Sequence, residues 1–392
     1  VKPRASDVLG LGRLAVQATL GVTDVVEGMH HAVVRAPRLF GDPQPARTRG
    51  ITGLVYRGVR GVTRLVGGGT DAVLGRLVAD VGDARESSPR REALLAALNG
   101  VVGDHLAASG NPLAIPMRLR RDGRPLALDA RALAAAIPQP SGKILLLVHG
   151  LCLSDLQWTR QGHDHGGALA PEHGYTPLYL HYNTGLHVSA NGRELAQLVE
   201  ALLGCWPVPV DELAIVGHSM GGLVARSACH YGAALGHAWP RRLRRLVFLG
   251  TPHHGAPLER GGSRLDAVLG AGRYTASLAR LGKVRSAGIT DLRHGNLLDE
   301  DWAGHDRFAR GPAARTPVPL PAGVACYAIA ATTGRRMGDV RDRLLGDGLV
   351  PVRSALGLPL PADRQWIGYE MGHLDLLHRR EVYEKLREWL AG

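Results

Sequence analysis

The apolar run Glu212-Leu213-Ala214-Ile215-Val216 leads without a break into Gly217-His218-Ser219-Met220-Gly221-Gly222, and this junction constrains the fold most tightly. A short apolar run of this kind reads as a strand buried on both faces. Met220 to Ala233 reads as a helix with small residues on its inner side. A chain that passes from strand to helix at a single serine turns too sharply for side chains two positions either side. Gly217 and Gly221 supply the clearance, and the strain lifts the Ser219 hydroxyl from the sheet edge. The dipole of the following helix favours negative charge beside that hydroxyl. The pentapeptide alone is weak evidence, so its surroundings carry the argument.

Those surroundings repeat one theme. Lys143 to Val148 is a second apolar run and ends in His149-Gly150-Leu151. Leu243 to Leu249 is a third, ending in Gly250-Thr251-Pro252-His253-His254-Gly255. A fourth, Gly323 to Ala330, precedes the tight turn Gly346-Asp347-Gly348-Leu349-Val350-Pro351. The last, Gln365 to Tyr369, leads to Met371-Gly372-His373-Leu374-Asp375, and Glu381 to Leu390 reads as a closing helix. Strands alternating with helices predict an α/β fold.

Three of these segments, Val148-His149-Gly150-Leu151, Gly217 to Gly222 and Gly250 to Gly255, resemble the α/β-hydrolase superfamily. The resemblance is to its bacterial lipase/esterase branch, and especially to the GPI inositol-deacylase-like and triacylglycerol-lipase group. It covers about residues 140–392. It implies a mostly parallel central sheet with helices on both faces, and catalytic residues in the order serine, acid, histidine. Those are Ser219, Asp347 and His373, with the backbone N–H groups of Leu151 and Met220 as the oxyanion hole. Asp339 and Asp342 lie nearer the fourth strand, but in an arginine-rich stretch that reads as solvated. The implied chemistry is carboxylic ester hydrolysis through an acyl-enzyme, on a small-molecule or lipid ester, with no metal or organic cofactor. Acyl transfer and thioester or amide hydrolysis share the same first step. A lipid-binding or interaction protein with a degenerate core is the reading from another class, and the full set of triad candidates argues against it.

The chain has 18 histidines, so most need a plain explanation. His149 and His218 are expected to hold neighbouring loops, His253 and His254 to shape the pocket floor or hold their loop, and His378 to sit on a helix surface. Asp375 matches a position that ligates calcium in some bacterial lipases, but no second carboxylate stands at matching spacing, so no metal site is expected. Asp299-Glu300-Asp301 reads as a solvated acidic loop. Residues 256–320 lack strand patterning and carry short helical stretches at Ser263 to Leu269, Tyr274 to Leu281 and Ser286 to Leu292. This segment is expected to form a cap, either a moving lid or a rigid decoration.

Residues 1–138 read as a helical extension preceding a catalytic domain at 139–392. Helical stretches are expected from about Ala5 to Val34, Ile51 to Leu77 and Arg90 to Leu106, with a hairpin from Ala114 to Leu128 turning at Asp122-Gly123. The second stretch is glycine-rich and carries Arg57, Arg60 and Arg64 at roughly helical spacing. The first expectation for it is a docked helical hairpin with a solvated basic face; the second is a peripheral lipid contact. No apolar run approaches the ~18 residues needed to span a bilayer. The formal charge of +12 comes almost wholly from arginine, and with only 5% aromatic residues nothing points to nucleic acid. Cys152, Cys205, Cys229 and Cys326 have no metal-like spacing and suit buried thiols in a reducing compartment such as the cytoplasm. Oligomeric state is not encoded in any of these patterns.

Overall fold

The computed structural model describes residues 6–7, 9–16, 88–256, 286–305, 315–336 and 346–391. Most of the first expected helical stretch, the whole glycine-rich stretch and the helical stretches at 263–269 and 274–281 lie outside these residues. So do Asp339 and Asp342. The chain divides into two units, Val1–Ser87 with Leu106–Ala114, and Ser88–His105 with Ile115–Gly392. In the first, a helical segment at 9–16 meets Asn111, whose amide donates to the Gly10 carbonyl at 3.0 Å.

The second unit is built on one eight-stranded sheet. Its strands are β1 (Arg118–Arg121), β2 (Arg124–Pro125), β3 (Lys143–Val148), β4 (Tyr175–His181), β5 (Glu212–His218), β6 (Leu243–Leu249), β7 (Ala325–Thr332) and β8 (Gln365–Tyr369). Their order across the sheet is β2-β1-β4-β3-β5-β6-β7-β8. From β4 to β8 every pairing is parallel, while β1 runs antiparallel to β4 and β2 antiparallel to β1. The hairpin turning at Asp122-Gly123 therefore extends the central sheet, so the sheet begins well before residue 139. Ile144 to Val148 and Leu213 to His218 are buried throughout, as strands covered on both faces must be.

The helices are α1 (Pro89–Ala108), α2 (Ala130–Ala136), α3 (His165–His173), α4 (Val188–Cys205), α5 (Met220–Ala234), α6 (Ala287–His294), α7 (Val352–Ala355) and α8 (Arg380–Leu390). Their ends follow capping chemistry. The Asp164 carboxylate accepts from the N–H groups of Gly166 and Gly167 to start α3, and Gly174 ends it at φ 69°. Ser286 and Gly295 do the same for α6. On α8, Val382, Leu386, Trp389 and Leu390 form the buried stripe. Among the described residues, no helix is long and apolar enough to cross a membrane.

Because β3 has β4 on one side and β5 on the other, the chain reverses its direction of travel across the sheet here. Parallel strands deliver all their C-terminal loops to one edge, and such a reversal opens a crevice there. The loops after β3, β5, β6, β7 and β8 carry Leu151, Ser219, Gly250, Asp347 and His373 respectively.

Candidate active site

Ser219 joins β5 to α5 with φ 54° and ψ −123°, a strained conformation for a residue with a side chain. Its N–H donates to the Leu249 carbonyl at 2.8 Å, which pins the turn to β6. A methyl group on Gly217 would stand 2.6 Å from the Gly222 Cα, and one on Gly221 would stand 2.7 Å from the His149 carbonyl and overlap that of Val148. One on Gly222 would overlap the Thr251 hydroxyl. The clearance read from the sequence is thus a contact between backbones. Gly150 extends the same logic, since a methyl there would lie 2.9 Å from the Ser219 Cβ. The loop after β3 can therefore press directly onto the serine.

Leu151 and Met220 occupy the two turns that flank Ser219, one after β3 and the other at the first position of α5. Neither backbone N–H has a hydrogen-bond partner among the described residues. For Met220 this is the ordinary state of a helix N-terminus.

On the far loops, His373 Nδ1 lies 2.6 Å from Asp347 Oδ2. Both side chains are buried, at 6% and 4% exposure, so the pairing acts in a low dielectric. The other carboxylate oxygen accepts the N–H groups of Leu349 at 2.9 Å and Val350 at 2.8 Å. That arrangement needs the tight turn made by Gly346 and Gly348, with φ of 55° and 99°. The imidazole fits because residue 250 is glycine: a methyl there would lie 3.2 Å from His373 Cε1. When Nδ1–H is given to the carboxylate, the neutral imidazole carries its lone pair on Nε2. The sequence-predicted acid and base are therefore joined. The ring of His218, the residue before Ser219, packs 4.7 Å from that of His373. The Ser219 hydroxyl itself has no hydrogen-bond partner among the described residues.

The other histidines singled out in the sequence have structural surroundings. His149 stacks on Tyr182 at 4.5 Å, bonds the Gly150 carbonyl through Nδ1 at 3.0 Å, and burial pushes its pKa down to about 4. His218 bonds the His373 carbonyl at 3.2 Å, and burial holds it well below the usual imidazole range. His253 is likewise held neutral by burial, edge-on to Phe248 at 4.7 Å and beside Arg226. His254 meets Arg315 at 3.1 Å. His378 bonds the Leu374 carbonyl at 3.3 Å.

Asp375 accepts the Gly372 N–H at 2.8 Å and so stabilises the turn that carries His373. Among the described residues, no group of histidine, cysteine or carboxylate side chains is arranged to hold a metal ion. One acidic residue departs from its expected solvation. Asp301 is buried and accepts the N–H groups of Leu297, Leu298 and Thr316, which makes it an internal brace of its turn.

Sequence reasoning did not find the packing of α1 against the loop after β3, nor the left-handed conformation of Cys152 at φ 59°. A non-glycine residue in that conformation carries no signal of its own in the sequence.

Residues 139–316 match the family model of the PGAP1-like alpha/beta domain. That match covers less than half of the chain. The sheet order and the strained serine turn are those of the α/β-hydrolase fold. The match agrees with the resemblance drawn from the three motifs. Among solved structures, the chain is similar to an esterase of Pyrobaculum calidifontis, at 13% identity over 78% of this chain and 93% of that one, with a TM-score of 0.38. It is also similar to a thermophilic esterase of Thermogutta terrifontis, at 16% identity over 64% and 90%, with a TM-score of 0.36. A third is lipase B of Aspergillus fumigatus, at 12% identity over 62% and 50%, with a TM-score of 0.38. No curated protein matches the chain.

Proposed function

We propose that this α/β-hydrolase cleaves carboxylic esters with Ser219 as nucleophile, His373 as general base and Asp347 as its orienting acid. The buried His373–Asp347 hydrogen bond of 2.6 Å, on loops at the same sheet edge as the strained Ser219 turn, carries the reading. His373 Nε2 takes the hydroxyl proton as Ser219 Oγ attacks the acyl carbonyl. The N–H groups of Leu151 and Met220 receive the oxygen that becomes negative. Asp347 keeps the proton on Nδ1 and stabilises the imidazolium. His373 then hands its proton to the leaving alkoxide, and water attacks the acyl-enzyme by the same route in reverse.

Acyl transfer, or cleavage of a thioester or amide, would use the same groups with a different acceptor or leaving group. The deciding experiment is hydrolysis of p-nitrophenyl esters from two to sixteen carbons by the full chain and by Ser219→Ala. Turnover is expected in the wild type, with a loss of about 10⁴-fold or more in the variant and an unchanged thermal unfolding curve. Turnover retained by Ser219→Ala would sink the assignment. A matched thioester and amide then separate the leaving-group classes.

A further inference from the structure

Helix α1 contributes no group to the reaction above, yet it lies against the loop that carries Leu151. Gly100 faces Cys152: a methyl on Gly100 would stand 3.0 Å from the Cys152 Cα and would overlap its Sγ. One turn further on, a methyl on Gly103 would meet the Asn183 side chain, its Cγ at 2.8 Å. From the other side, a methyl on Gly185 would stand 2.7 Å from the Gly103 N and 2.8 Å from its Cα. Helix backbone and loop backbone meet here without room for a side chain.

Cys152 needs such a wall. Its φ of 59° is left-handed, a strained conformation that a residue with a Cβ holds only when its surroundings enforce it. Its thiol is buried, and burial pushes its pKa up to about 12, so it acts as packing and not as a nucleophile. Its N–H is tied to the Thr184 hydroxyl at 3.1 Å.

The helix is fastened on both sides of this contact. In its first turn, Glu92 accepts Arg120 Nη1 at 2.9 Å, and the same nitrogen reaches Asp155 at 3.2 Å, three residues past Cys152. Further along, the Gly100 carbonyl accepts the Ser286 hydroxyl at 2.6 Å, and Asp104 accepts the Ala287 N–H at 3.0 Å.

We propose that α1 is a positioning element of the oxyanion hole, with the Gly100–Cys152 contact holding the neighbouring Leu151 N–H at its working position. This inference rests on the ester-hydrolase reading. Oxyanion donors act only over a narrow range of distance, so a shift of a few tenths of an ångström at Cys152 is felt at Leu151.

The test measures kcat and KM on an ester that the wild type turns over, per active site titrated with a fluorophosphonate. Alongside these it measures inhibition by a trifluoromethyl ketone with the same acyl chain. Ser219 Oγ adds to the ketone carbon, His373 takes the proton, and the resulting oxyanion needs the hole that ground-state substrate does not. Gly100→Ala is expected to lower kcat about thirtyfold with KM held within about twofold, and to weaken the ketone by a similar factor. Cys152→Gly leaves a gap and a slack loop, and should lower kcat about threefold. In the double variant the new methyl fills the space left by the thiol, so kcat should return to within about threefold of wild type.

A contact that is only structural would lower stability and the titrated fraction, yet leave kcat per site and ketone affinity unchanged. That result overturns the proposal, as does a double variant no better than Gly100→Ala. Should Gly100→Ala fail to fold, Cys152→Gly decides, and wild-type kcat per site in that variant overturns the proposal. A wild type inactive on every ester removes the ester-hydrolase reading itself, and this inference with it. An active wild type with an undiminished Gly100→Ala removes only the role of α1.

Discussion

Asp347 braces its own turn and His373 at once, and in the proposed reaction it would serve fold and chemistry together. Its Oδ1 satisfies two backbone N–H groups of its own turn, while Oδ2 is committed to His373 Nδ1. Asp347→Asn preserves the first function, because the amide oxygen can still accept from Leu349 and Val350. The amide NH₂ must then face His373, so Nδ1 becomes the acceptor and the proton moves to Nε2. An Nε2–H imidazole cannot take a proton from Ser219. The variant should therefore fold normally and lose about 10⁴-fold in kcat. Ester turnover beside a thermal melt checks both halves. A loss of less than about tenfold would remove Asp347 from the triad, since a wrong tautomer cannot be a mild defect.

At the scale of elements, α8 is held by a stripe of four buried apolar residues, and Trp389 stacks on Tyr327 of β7 at 4.7 Å. Trp389→Ala should lower unfolding stability by about 3–5 kcal/mol, read as a lower urea midpoint at an unchanged slope. A change below about 1 kcal/mol would mean that the helix docks without this contact. α8 was readable because its apolar residues recur at helical spacing. The central strands were readable for a related reason: a run such as Ile144 to Val148 has no polar face to confuse the period. The edge hairpin and α1 gave weaker signals. Arg120 is half-buried between Glu92, 28 positions before it, and Asp155, 35 positions after it. No local pattern encodes so distant a pairing. Gly100 and Gly103 look like poor helix formers until the loop backbone they admit is seen.

For the whole molecule, acid is the condition that most tests how the fold is held. His149, His165, His218 and His253 are all buried, and burial depresses each pKa, to about 4 for His149 and about 3 for His165. In the unfolded chain each would titrate near 6.5, so below that pH the unfolded state binds more protons than the folded one. The stability they contribute is complete above pH 6.5 and is lost as pH falls toward the folded values. By pH 5 His149 and His165 have each forfeited about 2 kcal/mol, and His218 and His253 lose stability in the same direction. Asp155 and Glu194 work in the opposite sense, because burial raises both carboxyl pKa values, that of Asp155 from 3.8 to about 6, and their protons favour the folded state. Two carboxyls do not offset four imidazoles. A chain that already carries +12 at neutral pH also gains self-repulsion with every added proton. Thermal unfolding from pH 8 to pH 5 should therefore show a flat Tm down to about pH 7 and a fall of more than about 10 °C by pH 5. Tm is the readout, because it reports on the fold alone. A Tm that stays level to pH 5 would show that these histidines are not held neutral by the fold.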